Sequence, residues 1–108
     1  MTFNEYQKWA LKTAIYPENL RIMYPALGLA GEVGEVAEKV KKIYRDKDGL
    51  IGTETRVALQ QEIGDVLWYT AVLAADLDLY LEDVAKSNIE KLKSRKKRGK
   101  LQGEGDAR

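Results

Sequence analysis

Apolar positions recur every three to four residues over most of the chain, and the places where that rhythm breaks mark the ends of helices. Phe3, Tyr6, Trp9, Ala10 and Thr13 fall at helical spacing behind the capping-box pattern Thr2-x-x-Glu5, which predicts a first helix running to about Ala14. Pro17 breaks it. A short irregular segment leads to Pro25, a residue suited to the first turn of a new helix, with Tyr16 and Tyr24 at the two breaks. From Ala26 to about Arg45, the residues Leu29, Val33, Val36, Val40 and Ile43 step by four and three, so a second helix with a narrow core-facing seam is expected. Asp46-Lys47-Asp48-Gly49 and Gly52 mark a loop. Thr53 or Thr55 is then expected to cap a third helix that buries Val57, Ile63, Val66, Thr70 and Leu73. That helix should end at Asp76-Leu77-Asp78, and a fourth should start near Leu81 with Val84, Ala85, Ile89 and Leu92 inward. With no strand pattern and no internal repeat, the reading is an all-α four-helix bundle with a short irregular segment between its first two helices. Ligand sites in such a bundle lie between facing helices.

The polar positions beside the seams carry the chemistry. Gly31-Glu32-Val33-Gly34-Glu35 and Glu62-Ile63-Gly64-Asp65 each hold an acidic pair at i, i+3 spacing. On a helix such a pair projects from one face, roughly 5–6 Å apart at Cβ, near enough to share a cation. Two such helices facing each other would gather four carboxylates into a cage for a hard cation, Mg²⁺ or Mn²⁺, which also favours phosphate oxygens. Either pair alone reads equally as solvated helix surface; two pairs, each beside an apolar stripe, argue for a common site. Tyr69 continues the Glu62/Asp65 stripe. Gly28, Gly31 and Gly34 each cost about 1 kcal/mol against alanine inside a helix, which implies a close approach by a packed helix or by a ligand. In the fourth helix, Asn88 reads as a register-fixing polar residue or as a ligand contact, and Asn88, Lys91 and Arg95 share a face suited to phosphate oxygens.

Composition then removes whole classes of chemistry. The 108 residues include neither cysteine nor histidine, so a zinc site, a thiol nucleophile and a Ser-His-Asp triad are excluded. Residues 1–95 are expected to form the domain and residues 96–108 a basic, glycine-containing tail that is flexible rather than packed. A domain this small with long apolar stripes is expected to form a homo-oligomer, a dimer or tetramer. The N-terminus carries no apolar signal core, and the longest mostly apolar run, Val66 to Ala75, is too short to span a bilayer, so a cytoplasmic location with no membrane partner is expected. A net charge of +1 gives no general attraction to nucleic acid. Seven of the ten residues from Lys91 to Lys100 are nevertheless basic, so the competing reading is a non-catalytic helical module binding nucleic acid or an acidic partner.

The runs Leu29-Ala30-Gly31-Glu32-Val33-Gly34-Glu35-Val36-Ala37-Glu38 and Glu62-Ile63-Gly64-Asp65-Val66-Leu67-Trp68-Tyr69, with a weaker Asn88-x-x-Lys91, resemble the MazG-like all-α nucleoside triphosphate pyrophosphohydrolases over most of the chain. The resemblance implies Mg²⁺-dependent cleavage between the α and β phosphates, giving a monophosphate and pyrophosphate, with a deoxyribonucleotide the favoured substrate. It makes Glu32, Glu35, Glu62 and Asp65 the metal ligands and implies an oligomer whose pockets can include a neighbouring subunit. Some related sequences carry another acid where this chain has Gly31, so the resemblance does not fix the water-activating base; the candidate among the motif carboxylates is Glu35. Asn88, Lys91 and Arg95 would then steady pyrophosphate, and Gln7, Trp9, Tyr16 and Tyr69 are candidates for contacting the base.

Overall fold

The computed structural model describes all 108 residues and contains four helices: α1 (Phe3–Lys12), α2 (Met23–Asp46), α3 (Thr53–Asp76) and α4 (Leu81–Lys97), with a single 3-10 turn at Glu18–Leu20. The all-α expectation holds. Thr2 caps α1 as its motif requires, its hydroxyl accepting from the Glu5 backbone N–H at 3.1 Å. The helix stops at Lys12, a little before Ala14, because the Thr13 hydroxyl turns back to the Ala10 carbonyl at 2.8 Å. At α3 the expected threonine cap is absent. Gly52 takes the N-cap position with no side-chain bond, and Thr53 is the first helical residue.

The α2–α3 pair is a long antiparallel hairpin, in which Gly28 faces Tyr69 near one end and Lys47 donates to Thr55 near the other. The other two helices, α1 and α4, gather at the far end of α3, where Ala10, Ala71, Val72 and Leu81 form the small buried core. Gln7 ties these parts together. Buried at the centre, its amide donates to the carbonyls of Ala71 and Leu79 and accepts from the Leu81 N–H, which satisfies the backbone where α3 gives way to α4.

Most of the expected seams are not covered within one chain. Ile43 is buried and Leu29 and Val36 are partly so, but Val33 is 51% exposed, Ile63 57% and Ile89 50%; Val40, Val57, Val84 and Leu92 are also exposed. Asn88, expected within an apolar stripe, is exposed as well. The cause is the arrangement of layers: α4 packs mainly on α1 and α3, so much of the hairpin projects without a second layer. The radius of gyration of 16.7 Å exceeds the roughly 13 Å of a compact domain this long. The accessible surface of 8240 Å² is about a third above that of a folded monomer of this mass.

Asp106 folds back onto α4, accepting from Lys91 Nζ at 2.9 Å and from Arg95 Nη2 at 3.0 Å, while Arg108 donates to the carbonyls of Lys100, Leu101 and Gly105. Arg95 is only 5% exposed as a result. No helix is long and apolar enough to cross a membrane.

Candidate active site

The antiparallel pairing of α2 and α3 brings Glu32 from one helix opposite Glu62 and Asp65 from the other, and one oxygen from each lies within 4.8 Å of the others. Oε2 of Glu32 is buried and has no hydrogen-bond partner. A buried acceptor of this kind is costly, more so when charged. Burial first, then the close Glu62 carboxyl and the neighbouring charges of Asp65 and Glu35, push the Glu32 carboxyl above its ordinary range. The cation touching the cluster is Lys39, whose Nζ lies 3.5 Å from Glu62 Oε1.

The donors are all carboxylate oxygens, and the unpartnered Glu32 oxygen is an acceptor that a cation would satisfy. This set fits a hard divalent ion such as Mg²⁺ or Mn²⁺ and gives no soft ligand for copper or zinc.

Beside the carboxylates, toward the start of α2, is an aromatic wall. A Cβ on Gly28 would lie 2.1 Å from Tyr69 Cε1, so the absence of a side chain there is what admits the ring. Gly31 and Gly34 have nothing near them within the chain, so a close approach accounts for one of the three glycines. Tyr24 lies 6.4 Å from Tyr69 by ring centroids and stacks on Tyr16 at 4.7 Å and 17°. Burial first, then Tyr24 and the acids Glu32 and Asp65, raise the Tyr69 hydroxyl above its usual range.

Asp76 sets the position of this wall. Its Oδ2 accepts from the Tyr16 hydroxyl at 2.7 Å and from the Ile22 N–H at 2.9 Å, and its Oδ1 is 3.5 Å from Arg21 Nε. Burial and the bond to Asp76 raise the Tyr16 hydroxyl well above its ordinary value. Ile22 has φ 66° and ψ −57°, and Met23 N–H donates across it to the Arg21 carbonyl at 2.7 Å. This tight turn costs a β-branched residue on the order of 1–3 kcal/mol. The Asp76 anchor offsets that strain and fixes where α2, and so Tyr24, begins.

The remaining candidates fall at different places. Glu35 is exposed, one turn beyond Glu32 and outside the close group of oxygens. Asn88 and Lys91 line a surface groove with Asp83 and Asp106, and Lys91 and Arg95 already hold Asp106. Gln7 has its amide engaged by backbone, and the exposed Trp9 ring carries Lys12 Nζ at 3.9 Å from its centroid. Sequence reasoning did not single out Lys39, Tyr24 or Asp76 for the site. Lys39 was within reach of it: Glu32, Glu35 and Lys39 are spaced by three and four and share one face of α2.

Residues 25–99 match the family model described as the MazG nucleotide pyrophosphohydrolase domain. The chain is 52% identical to the Gene 37 protein of Mycobacterium phage L5 over 109 aligned residues, which cover 95% of this chain and 96% of that protein. It is 36% identical to the uncharacterized protein YpjD of Bacillus subtilis (strain 168) over 69 residues, 64% of this chain and 61% of that one. No solved structure matches it.

Proposed function

Because the chain belongs to the MazG nucleotide pyrophosphohydrolase family, we propose that it hydrolyses a nucleoside triphosphate, a deoxyribonucleotide by preference, between the α and β phosphates, with Mg²⁺ as cofactor and Mn²⁺ able to substitute. The observation that carries this reading is the meeting of Glu32, Glu62 and Asp65 within 4.8 Å around a buried, unpartnered carboxylate oxygen. These three, with Glu35 turning in from the next turn of α2, hold the cation. A divalent ion there supplies positive charge against the phosphate oxygens, the main demand of phosphoryl transfer.

Glu35, exposed and free to move, accepts a proton from the attacking water. The water oxygen bonds to the α phosphorus, the bond to the bridging oxygen breaks, and its electron pair leaves with pyrophosphate. Tyr16, Tyr24 and Tyr69 offer ring surface to the base. Trp9, whose exposed ring carries Lys12 beside it, is a further candidate for base contact, and Gln7, also considered for it, has its amide engaged by backbone.

The active form is a homo-oligomer, a dimer or tetramer. The excess accessible surface and the exposed Val33, Ile63 and Ile89 support this reading, since a second copy would cover what α4 leaves bare. In that assembly Asn88, Lys91 and Arg95 approach the phosphates from a neighbouring copy, with Asp106 giving up its two cations. The alternative, a nucleic-acid module using the basic segment, gives no role to the meeting of Glu32, Glu62 and Asp65 on α2 and α3.

The test is a panel of the common ribo- and deoxyribonucleoside triphosphates with Mg²⁺, scored for pyrophosphate and orthophosphate separately. Pyrophosphate release is expected. Release of orthophosphate would move the cleaved bond, and binding of DNA or RNA that falls steeply with salt, without pyrophosphate release, would favour the binding module.

A further inference from the structure

The face along which α2 meets α3 differs in chemistry from end to end. At the Gly28 end stand Tyr69 and Tyr24, and the carboxylates of Glu32, Glu62 and Asp65 come next. On the far side of the acids Lys39 pairs with Glu62 at 3.5 Å, and beyond it Lys42 and Lys47 line a surface groove of about 360 Å³ at the base of the hairpin. Asp46 and Glu54 share that groove, but Asp46 is taken by Arg45 at 2.9 Å. Apolar ring surface, then acids, then amines along one line match a nucleoside triphosphate laid in a single direction.

We propose that the substrate lies along this face with its base toward Tyr24 and Tyr69 and its β and γ phosphates toward the α2–α3 loop, where Lys39 leaves Glu62 to hold the departing pyrophosphate. The inference rests on the pyrophosphohydrolase reading and adds to it a direction and a residue. Lys39 is suited to the exchange because its ammonium carries three donors on a long flexible stem and because its present partner is itself one of the acids assigned to the cation. When Glu62 turns to the cation, Lys39 loses its counter-charge at the place where the phosphates arrive. The α4 cations approach from a different helix, and of the lysines that α2 brings to this end Lys39 is the one paired with the acids.

The test is calorimetric binding of pyrophosphate, in the presence of Mg²⁺, to the full chain and to Lys39→Met, Lys39→Arg, Lys41→Met and Tyr24→Leu. Lys39→Met should weaken pyrophosphate binding about tenfold, the loss of one charge-assisted contact, and Lys39→Arg should recover most of it. Lys41 pairs with Glu38 on the exposed side of α2, so Lys41→Met controls for net charge. That variant and Tyr24→Leu, altered at the base end, should each change the affinity by less than about twofold, as expected for groups that do not touch the ligand. Unchanged binding in Lys39→Met, or an equal loss in Tyr24→Leu, would overturn the assigned direction while leaving the site in place. A wild-type protein that binds no pyrophosphate even at millimolar concentration would overturn the role given to Lys39, while the pyrophosphohydrolase reading falls if triphosphates release no pyrophosphate.

Discussion

The Tyr69 ring occupies the space that a side chain on Gly28 would fill, with 2.1 Å between its Cε1 and the position of that missing Cβ. Glycine here costs α2 helical propensity, and the return is a ring placed beside the carboxylates. Gly28→Ala therefore sets two effects against each other: about 1 kcal/mol gained in helix propensity and about 1–3 kcal/mol lost to overpacking. Net destabilisation is expected, with a changed Tyr69 environment in the near-ultraviolet circular dichroism. Melting curves decide it, and a stabilised variant with an unchanged aromatic signal would mean that the ring has another place to go.

Gln7 joins the end of α3 to the start of α4 through three hydrogen bonds to backbone. Gln7→Leu keeps most of the volume and leaves two carbonyls and one N–H without their partner, so destabilisation of about 2–4 kcal/mol is expected from denaturant unfolding. A loss below about 0.5 kcal/mol, the size of an ordinary surface change, would show that water replaces the amide at no cost.

The helices themselves were legible in the sequence because the apolar rhythm, the Thr2 cap, Pro17 and the Asp46–Gly52 loop are local signals. What could not be read was which apolar residues are covered. Val33, Ile63 and Ile89 obey the same spacing as the buried Ile43, yet coverage depends on the angle at which α4 leaves α3, a tertiary property with no periodic trace. In the candidate site the acids of α2 and α3 were visible as spaced pairs. The Asp76 anchor was not, because its partners Tyr16, Arg21 and Ile22 lie more than fifty residues away in sequence. The contact of the tail with α4 was not legible either, because Asp106 meets its two cations only in three dimensions.

That exposed face leads to a prediction about assembly. Light scattering should give a dimer or tetramer, and Ile63→Asp or Ile89→Asp should dissociate it and make the melting temperature fall on dilution. In a monomer both residues are half-exposed and a charge there costs little. A monomeric wild type at micromolar concentration would refute the oligomer and, with it, the approach of α4 cations from a neighbouring copy.

Docking of the tail should depend on pH. The Lys91 ammonium and the Arg95 guanidinium hold the Asp106 carboxyl below its usual 3.8, so this contact favours the folded tail at neutral pH. For an acid whose pKa is lowered by folding, that contribution is complete above the ordinary value and is lost as pH falls through the lowered one. Backbone ¹⁵N order parameters over residues 101–108 should therefore stay high down to mildly acidic pH and fall below that. Asp106→Asn should lower them already at neutral pH. Unchanged order parameters in the variant would assign the docking to Arg108 and its carbonyl partners instead.

Carboxylates crowded around a buried oxygen repel one another, and Lys39 offsets only part of that charge. Glu32→Gln should raise the melting temperature in EDTA, while Mg²⁺ should raise that of the wild type and not that of the variant. Acids on a solvated face would change stability by no more than about 0.5 kcal/mol and respond little to Mg²⁺. Four melting curves separate the two cases.

The most direct test of the central claim follows the oxygen of the attacking water. Hydrolysis of the best substrate with Mg²⁺ in ¹⁸O-enriched water, read by ³¹P NMR, should place the label in the nucleoside monophosphate and leave pyrophosphate unlabelled, and Glu32→Gln should abolish the reaction. Label in pyrophosphate, orthophosphate as the first product, or an unimpaired Glu32→Gln would contradict attack at the α phosphorus by a site built from Glu32, Glu62 and Asp65.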